Sequence, residues 1–325
     1  MIDWPSLVRI LRENQRFAIS SHERPDADAI GSEIGLAGIL EQLGKQVLIV
    51  NPSATPNHLK FLDPTGRVGK FGENVKLETA LQVDVHLIVD TSAWQQLTDV
   101  RGLLEKTKAR KVVIDHHVSS DDLGATEFKD TTASATGVLI AELAAHLDVT
   151  PTPDQASALF AAIATDTGWF RFSNTDERTL QKATLLLSLG ASPTRIYREL
   201  YERSSLSRLK LHSCALSRVS VECEGRLAHT YVTQADFDAT GAHPSDTEDL
   251  VNDCLTIDGA EMAFMLVEQK SGQIKASLRS RTGVDVAKIA EIFGGGGHRQ
   301  AAGAMLPGPL LNAQERLRHA FVSGT

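Results

Sequence analysis

The sequence predicts an α/β protein with an N-terminal domain, built on a parallel sheet with helices on both faces, and a smaller C-terminal α/β domain. In the N-terminal part, short apolar runs alternate with amphipathic helical patterns, as in the strand–helix units of a parallel sheet. After about residue 215, short segments of alternating polar and apolar residues dominate instead. The length of 325 residues also exceeds one average domain and indicates two.

The N-terminal domain begins with a predicted helix and continues with alternating strands and helices. The predicted elements are, in chain order, a helix over 5–13, a strand that ends at Ser21, a helix over 27–43, a strand over 45–51, a loose segment over 52–72, strands over 83–90 and 111–117, and helices over 134–147, 154–165, 175–189 and 194–201. The strands are nearly continuous apolar runs, which is typical of strands buried on both faces of a sheet.

The C-terminal domain is predicted from four alternating segments and one helix. The strands lie within residues 218–221, 228–233, 263–268 and 273–279, and a helix over 285–293 leads into the glycines 294–297 and His298. The strongly polar segment 202–210 looks like a connector. We therefore expect the N-terminal domain at residues 1–190, a linker at residues 191–214 and the C-terminal domain at residues 215–325.

Composition predicts a soluble cytoplasmic protein without a membrane segment. Hydrophobic residues make up 42% and charged residues 23% of the chain, and no apolar run reaches the ~18–20 residues that span a bilayer. The N-terminus lacks the basic and apolar regions of a signal peptide. The three cysteines are far apart, which indicates neither a disulfide framework nor a thiolate metal site and fits a reducing compartment.

The net charge of −8 disfavours binding to long duplex nucleic acid, because such binding depends on many Lys and Arg contacts to phosphates. A small phosphorylated substrate remains compatible with this charge, since it needs only a local basic pocket and metal ions.

Ionisable residues follow several predicted elements at the point where each element ends. They are His22, Asp26 and Asp28 after the first strand, Asp90 after the third, Asp115, His116 and His117 at the end of the fourth, and Asp166 at the end of a helix. The carboxyl ends of parallel strands meet at one edge of the sheet, so these side chains should converge. A single Asp in such a place is usually a turn former or a helix cap. Several together repel one another unless a cation neutralises them, which predicts a divalent metal site.

These motifs resemble the DHH phosphoesterase family with its C-terminal DHHA1 domain. The resemblance depends on Ser21-His22-x-x-Pro25-Asp26-x-Asp28-x-x-Gly31-Ser32, on Asp90, on Asp115-His116-His117, on Asp166 and on Gly294-Gly295-Gly296-Gly297-His298. Within the family, the chain is most similar to bacterial oligoribonucleases that also dephosphorylate 3′-phosphoadenosine 5′-phosphate (pAp).

The resemblance implies a site with two manganese ions in the cleft between the two domains. His22, Asp26 and Asp90 would hold one ion, and Asp28, Asp90, His116 and Asp166 would hold the other. Asp115 would orient a histidine ring, and His117 would face the substrate phosphate. The C-terminal domain would bring Gly295, Gly296, Gly297 and His298 to the substrate. Arg279 and Arg281 would pair with a phosphate or carboxylate, or else form exposed ion pairs.

Chemistry supports a pair of ions independently of the resemblance. Two divalent ions ~3.5–4 Å apart lower the pKa of a water molecule and neutralise charge on phosphoryl oxygens. Ligation by many carboxylates, few imidazoles and no thiolate favours Mn²⁺ or Mg²⁺ over Zn²⁺, and Co²⁺ is a further alternative. A run of glycines also lets backbone N–H groups approach an anion closely.

The resemblance and this chemistry together predict a Mn²⁺-dependent phosphodiesterase of the 3′–5′ oligoribonuclease type. It would hydrolyse short single-stranded RNA (nano-RNA) or DNA to mononucleotides and dephosphorylate pAp, and its cleavage polarity stays open. Three alternatives stay open: a phosphodiesterase acting on cyclic di-AMP or its linear product pApA, a pyrophosphatase of the same superfamily, and a non-catalytic nucleotide sensor. The oligomeric state also stays open, and a homodimer is one alternative.

Overall fold

The computed structural model describes residues 2–281 and 283–323 and divides between Arg203 and Ser204 into two compact units. Each unit is an α/β domain with its own sheet, in agreement with the predicted fold class. The division falls inside the polar segment 202–210. The exact boundaries of domains and linker remain predictions.

The first unit alternates strands and helices along most of its length. Its elements are α1 (Trp4–Glu13), β1 (Arg16–Ser20), α2 (Ala27–Gln42), β2 (Gln46–Asn51), β3 (Val68–Lys70), α3 (Leu77–Ala80), β4 (Val85–Val89), α4 (Trp94–Lys106), β5 (Arg110–Asp115), β6 (Thr126–Lys129), α5 (Thr136–His146), α6 (Pro153–Asp166), α7 (Glu177–Ser188) and α8 (Pro193–Tyr201). The strand β3 was not predicted and lies in the segment interpreted as loose. It is short and at the sheet edge, so it carries little of the apolar pattern that identifies a strand.

All six strands of the first unit are parallel and follow the order β3-β2-β1-β4-β5-β6. The chain moves outward in one direction from β1 and then in the other from β4. Ligands of such doubly wound sheets bind outside the carboxyl ends of the strands, where the order reverses. The segments that follow β1 and β4 are therefore adjacent at the position where a ligand is expected.

Helices cover both faces of this sheet, as predicted, and two of them pack unusually closely. One core lies under α1, α2, α5 and α6, and the other lies under α3 and α4. Gly31, Gly35 and Gly38 form one face of α2, and an added Cβ at these positions would clash with Ala158, Leu159 and Gln155 of α6. Because the two helices run in opposite directions, this contact brings the first turn of α2 close to the last turn of α6.

One of the buried carboxyl groups of the first unit lies in the middle of α2. Glu33 is fully buried, and its Oε2 accepts a hydrogen bond from Asn51 Nδ2 (2.9 Å), whose Oδ1 in turn accepts one from the Ser21 amide (3.0 Å). Its Oε1 has no hydrogen-bond partner among the described residues. Burial raises the pKa of Glu33 from 4.5 to about 8, so the folded protein holds this group as a neutral acid at pH 7.

We expect Glu33→Gln to stabilise the protein at pH 8 but not at pH 4.5. Between these values the folded state binds one proton more than the unfolded state, so the stability of the natural protein falls as pH rises through this window. Glutamine keeps the shape of the side chain but cannot ionise. At pH 8 the free energy of unfolding should therefore rise by on the order of 1–3 kcal/mol. Urea unfolding at both pH values measures it. The matched control is Glu13→Gln, at an exposed position, and an equal gain at both pH values would contradict the expectation.

The second unit contains a mixed sheet with helices packed against it. Its elements are α9 (Leu206–Leu216), β7 (Ser220–Glu222), β8 (Leu227–Val232), α10 (Gln234–Thr240), α11 (Leu250–Cys254), β9 (Met262–Glu268), β10 (Gln273–Ser280), α12 (Val286–Glu291), β11 (Gly296–His298), β12 (Ala301–Pro307) and α13 (Leu310–Ser323). The strand order is β11-β12-β10-β9-β8-β7, with β8 and β9 parallel and the other pairs antiparallel. Part of the glycine run is thus a strand. Within the described residues, no helix has both the length and the apolar character that crossing a bilayer requires.

Candidate metal centre

The loop from β1 to α2 directs one imidazole and one carboxylate to the carboxyl edge of the sheet. Asp26 caps α2, and its Oδ1 accepts hydrogen bonds from the amides of Asp28 and Ala29 (both 3.0 Å). The Nδ1 atom of His22 lies 3.0 Å from the Glu23 carbonyl oxygen. Because a carbonyl oxygen can only accept, Nδ1 carries a proton, and Nε2 is the atom left to bind a cation.

Asp90 follows β4 and lies at the centre of the site. Its side chain is buried, and its backbone has a positive φ of 61°, a conformation that strains a residue other than glycine and is found disproportionately at functional sites. Its Oδ2 lies 3.5 Å from His22 Nε2, and its Oδ1 lies 3.6 Å from His116 Nε2. The two oxygens of one carboxylate therefore face two different histidines.

His116 follows β5 and faces three carboxylates. Its Nε2 lies 3.8 Å from Asp28 Oδ2, 3.6 Å from Asp90 Oδ1 and 3.4 Å from Asp166 Oδ2. Its Nδ1 lies 3.2 Å from the carbonyl oxygen of Ala133, so Nε2 is again the free nitrogen. Asp166 is the last residue of α6, the helix that packs closely against α2.

The first turn of α5 holds two of these carboxylates in place. The amides of Thr136 and Gly137 donate to Asp28 (2.7 and 2.9 Å), and Thr136 Oγ1 donates to Asp90 Oδ1 (2.9 Å). Amides at a helix N-terminus carry partial positive charge and suit a carboxylate. The sequence analysis assigned neither residue a role, because backbone donors leave no trace in residue type.

The distances within the site fit ligands of divalent cations better than hydrogen bonds. At 3.4–3.8 Å the imidazole–carboxylate pairs are longer than ordinary hydrogen bonds. Two ligand atoms that share one ion at about 2.1 Å are separated by about 3–3.5 Å. Donor atoms converge within 4.8 Å of one another in two sets, His22, Asp26 and Asp90 in one and Asp28, His116 and Asp166 in the other. The second set contains three of the four residues predicted for that ion, without Asp90.

The electrostatics of the site favour the binding of positive charge. Burial and the neighbouring Asp28 raise the pKa of Asp90 well above its usual range, and the same two causes raise the pKa of Asp166 to about 8. Burial opposes the charge of His22, yet the nearby carboxylates of Asp26 and Asp90 raise its pKa to about 11. Protons thus compensate the negative charge in the absence of ions. Divalent cations would displace these protons, so the residues fit the group that the motifs predict.

Asp115 was expected to orient a metal-bound histidine, but its side chain contacts the ring of His117, which is not among the predicted cation ligands. Asp115 Oδ1 accepts hydrogen bonds from His117 Nδ1 (2.8 Å) and the His117 amide (3.1 Å). Its Oδ2 accepts one from Ser92 Oγ (2.8 Å) and lies 3.2 Å from Lys129 Nζ. Burial opposes ionisation here, but the bonds from His117 lower the pKa of Asp115 to about 2. Neither Ser92 nor Lys129 was assigned from the sequence.

His117 also belongs to a third convergent set, with Asp90 and His116. Its Nδ1 lies 3.9 Å from Asp90 Oδ1 but is already engaged by Asp115. The side chain is 45% exposed, so part of the ring is open to solvent. This geometry is compatible with contact to a substrate phosphate, the role that the resemblance implies.

Two of the predicted residues of the second unit share one face of its sheet. Arg279 and His298 both pair with Ala301, from the two strands on either side of β12, so their side chains point the same way. Arg281 lies two residues beyond Arg279, just past the end of β10. Each of these three residues is at least partly exposed.

Two of the glycines are required by the fold itself. An added Cβ at Gly295 or Gly297 would clash with the backbone of β12, and Gly297 has a φ of 146°. At Gly296 the space is open. Contact of these three glycines with a substrate remains a prediction.

Two family models match the chain, the DHH family N-terminal domain at residues 16–164 and the DHHA1 domain at residues 224–323. Together with the fold and the convergent carboxylates and imidazoles, these matches define a hydrolytic phosphodiesterase. The chain belongs to the DHH family and combines its N-terminal domain with a DHHA1 domain.

Several relatives cover most of the chain. The bifunctional oligoribonuclease and PAP phosphatase NrnA of Thermus thermophilus is 32% identical over 310 residues, 93% of this chain and 88% of the relative. NrnA of Bacillus subtilis is 29% identical and covers 92% of each chain. The cyclic-di-AMP phosphodiesterase GdpP of Geobacillus thermodenitrificans is 26% identical over 97% of this chain, which spans 48% of that longer protein. An exopolyphosphatase-related protein from Bacteroides fragilis has a similar structure, with a TM-score of 0.89 and 26% identity over 98% of this chain and 95% of the other.

Proposed function

We propose that this protein is a divalent-cation-dependent exonuclease that degrades short oligoribonucleotides to mononucleotides and removes a phosphate from pAp. The observation that carries the proposal is that the two oxygens of Asp90 face two separate donor sets, which suits a carboxylate shared by two ions. The two NrnA relatives support the substrate class. Mn²⁺ is the cation we favour, with Mg²⁺ and Co²⁺ as alternatives.

In this proposal His22, Asp26 and Asp90 hold one cation, and Asp28, Asp90, His116 and Asp166 hold the other. Bound cations would lower the pKa of a water molecule and neutralise charge on the phosphoryl oxygens. The remaining groups act on the substrate. His117, fixed by Asp115, donates from Nε2 to a phosphate oxygen, and Arg279, Arg281 and His298 bind further anionic groups.

A short substrate also agrees with the charge of the chain. The net charge of −8 disfavours binding to a long duplex, so in this proposal affinity comes from cations and a few basic side chains. The three free cysteines fit the reducing cytoplasm, where we place the protein.

A second candidate function is hydrolysis of cyclic di-AMP or pApA. It is favoured by the GdpP relative, whose match extends over nearly the whole of this chain. The ligand residues are common to both proposals, so only substrates can separate them.

The experiment that tests the proposal incubates the protein and Mn²⁺ with labelled RNAs of two to ten nucleotides, pAp, pApA and cyclic di-AMP. We expect the shortest RNAs and pAp to be converted fastest. Faster conversion of cyclic di-AMP than of any short RNA would favour the second function. No cleavage of any dinucleotide with Mn²⁺, Mg²⁺ or Co²⁺ would overturn both and revive the sensor alternative.

We expect His117→Ala to lower kcat by about 10²-fold while cation binding is retained, because His117 contacts the substrate and not the ions. Steady-state kinetics on a dinucleotide and a Mn²⁺ titration measure the two effects. His58→Ala, at an exposed position, is the control. A large loss of Mn²⁺ affinity in His117→Ala would show that His117 is a ligand instead.

A further inference from the structure

We propose that the exposed ring of Phe172, together with the Arg171 guanidinium that lies over it, forms the surface on which a nucleobase of the substrate stacks. The inference rests on the proposed function, because it assigns the base-binding part of the same site. It is carried by the conformation of the loop that follows Asp166.

Three consecutive residues of this loop adopt the left-handed conformation. Gly168, Trp169 and Phe170 have φ values of 53°, 58° and 64°. Glycine adopts such values without strain, whereas bulky side chains rarely do. The turn is closed by the amide of Trp169, which donates to the Ala164 carbonyl oxygen (2.6 Å), and by that of Phe172, which donates to the Thr167 carbonyl oxygen (3.0 Å).

Aromatic packing holds this strained turn in place. The Trp169 ring lies 4.9 Å from that of Tyr197 and 6.2 Å from that of Phe160, and the Phe170 ring lies 5.8 Å from that of Phe160. Strained backbone persists where the surrounding packing determines the conformation. The turn is therefore a fixed feature of the first unit.

Phe172 lies in the turn that directly follows Asp166, one of the predicted cation ligands. Its ring lies over Gly168, so closely that any side chain at Gly168 would clash with it. Gly168 is two residues from Asp166. Asn174 further ties the loop to the site, because its Nδ2 donates to the carbonyl oxygens of Asp166 and Ser134 (both 3.2 Å).

The chemistry of this surface suits a nucleobase. The other two aromatic residues of the loop pack against the core, but Phe172 is 49% exposed, and the Arg171 guanidinium carbon lies 5.3 Å from its ring centroid. Aromatic rings and arginine planes are the groups on which unpaired bases stack. A phenyl ring offers no hydrogen bonds, so it accepts any base, as an enzyme that clears short RNAs of mixed sequence requires.

An exposed phenylalanine is also compatible with no function, since single apolar residues are common on protein surfaces. The test therefore compares Phe172→Ala and Phe172→Trp with the control variant Leu180→Ala. Leu180 lies on α7 and is 50% exposed, about as much as Phe172. Each variant is assayed with Mn²⁺ on two substrates. One is a 3′–5′ linked dinucleotide of two adenosines (the diadenosine substrate), and the other is a matched dinucleotide that lacks both bases. Thermal melting of each variant checks the fold.

We expect Phe172→Ala to raise KM for the diadenosine substrate by about tenfold with little change in kcat, and Phe172→Trp to keep the natural KM. The base-free dinucleotide should be converted equally by all variants, and Leu180→Ala should match the natural protein. An unchanged KM in Phe172→Ala, or an equal loss on both substrates, would overturn the inference.

Failure of the proposed function has a different outcome, in which the natural protein cleaves neither substrate. Equilibrium binding of a fluorescent dinucleotide then decides the inference, with weaker binding by Phe172→Ala than by Leu180→Ala supporting it and equal binding overturning it.

Discussion

Replacing Asp90 by asparagine or alanine is expected to abolish turnover while the first unit remains folded. Asp90 is the one carboxylate that belongs to both predicted ligand groups, so its loss weakens both cation sites. Cations contribute several kcal/mol to a phosphoryl-transfer transition state, which corresponds to a fall in kcat of roughly 10³-fold or more. Asparagine keeps the shape of the side chain and the hydrogen bond from Thr136. Steady-state rates on a dinucleotide with saturating Mn²⁺ measure the effect.

The stability of the Asp90→Asn variant separates a catalytic loss from misfolding. Burial beside Asp28 disfavours the charged form of Asp90, so the cation-free variant should be at least as stable as the natural protein. The matched control is Asp148→Asn, which changes an exposed carboxylate beyond the far end of α5. Substantial activity of Asp90→Asn in Mn²⁺ would contradict the role of Asp90 as a shared ligand.

Removal of divalent cations by EDTA is expected to abolish turnover and to lower the melting temperature. Cations that bind only the folded state stabilise it by about 2.7 kcal/mol at each site when present at one hundred times the dissociation constant. Without them, the buried carboxylates must hold protons or repel one another. Thermal melts and rates are measured after chelation and again after addition of Mn²⁺, Mg²⁺ or Co²⁺.

The Asp90→Asn variant is the control for this experiment, since it should gain much less stability from Mn²⁺. Equal melting temperatures of the natural protein with and without every cation would count against a metal centre, whatever the activity.

The sequence was sufficient to predict the central strands and the convergence of the charged residues. Strands buried on both faces require continuous apolar runs, so β1, β4 and β5 could be predicted from the apolar pattern of the sequence. A parallel sheet brings the carboxyl ends of these strands together. His22, Asp90 and His116 follow these three strands. Their convergence is therefore a consequence of topology, whereas their roles as ligands remain predictions.

Other parts of the site could not be read from residue types. The amides of Thr136 and Gly137 bind Asp28 through the backbone, which every residue possesses. The pairing of Asp115 with His117 rather than with His116 depends on side-chain orientation. The left-handed turn after Asp166 runs against the preference of Trp169 and Phe170 and exists only because the tertiary packing overrides it.

The glycine face of α2 gives residues that are not themselves predicted ligands control over the active centre. Because Gly31, Gly35 and Gly38 set the separation of the two helix axes, they also set the distance from Asp28, near the start of one helix, to Asp166, at the end of the other. A single methyl group at Gly35 would widen this gap without contacting either carboxylate. Substitutions at this contact between α2 and α6 would thus weaken cation binding at the predicted site, and larger side chains would weaken it more. Such variants would lower activity although every predicted catalytic side chain is still present.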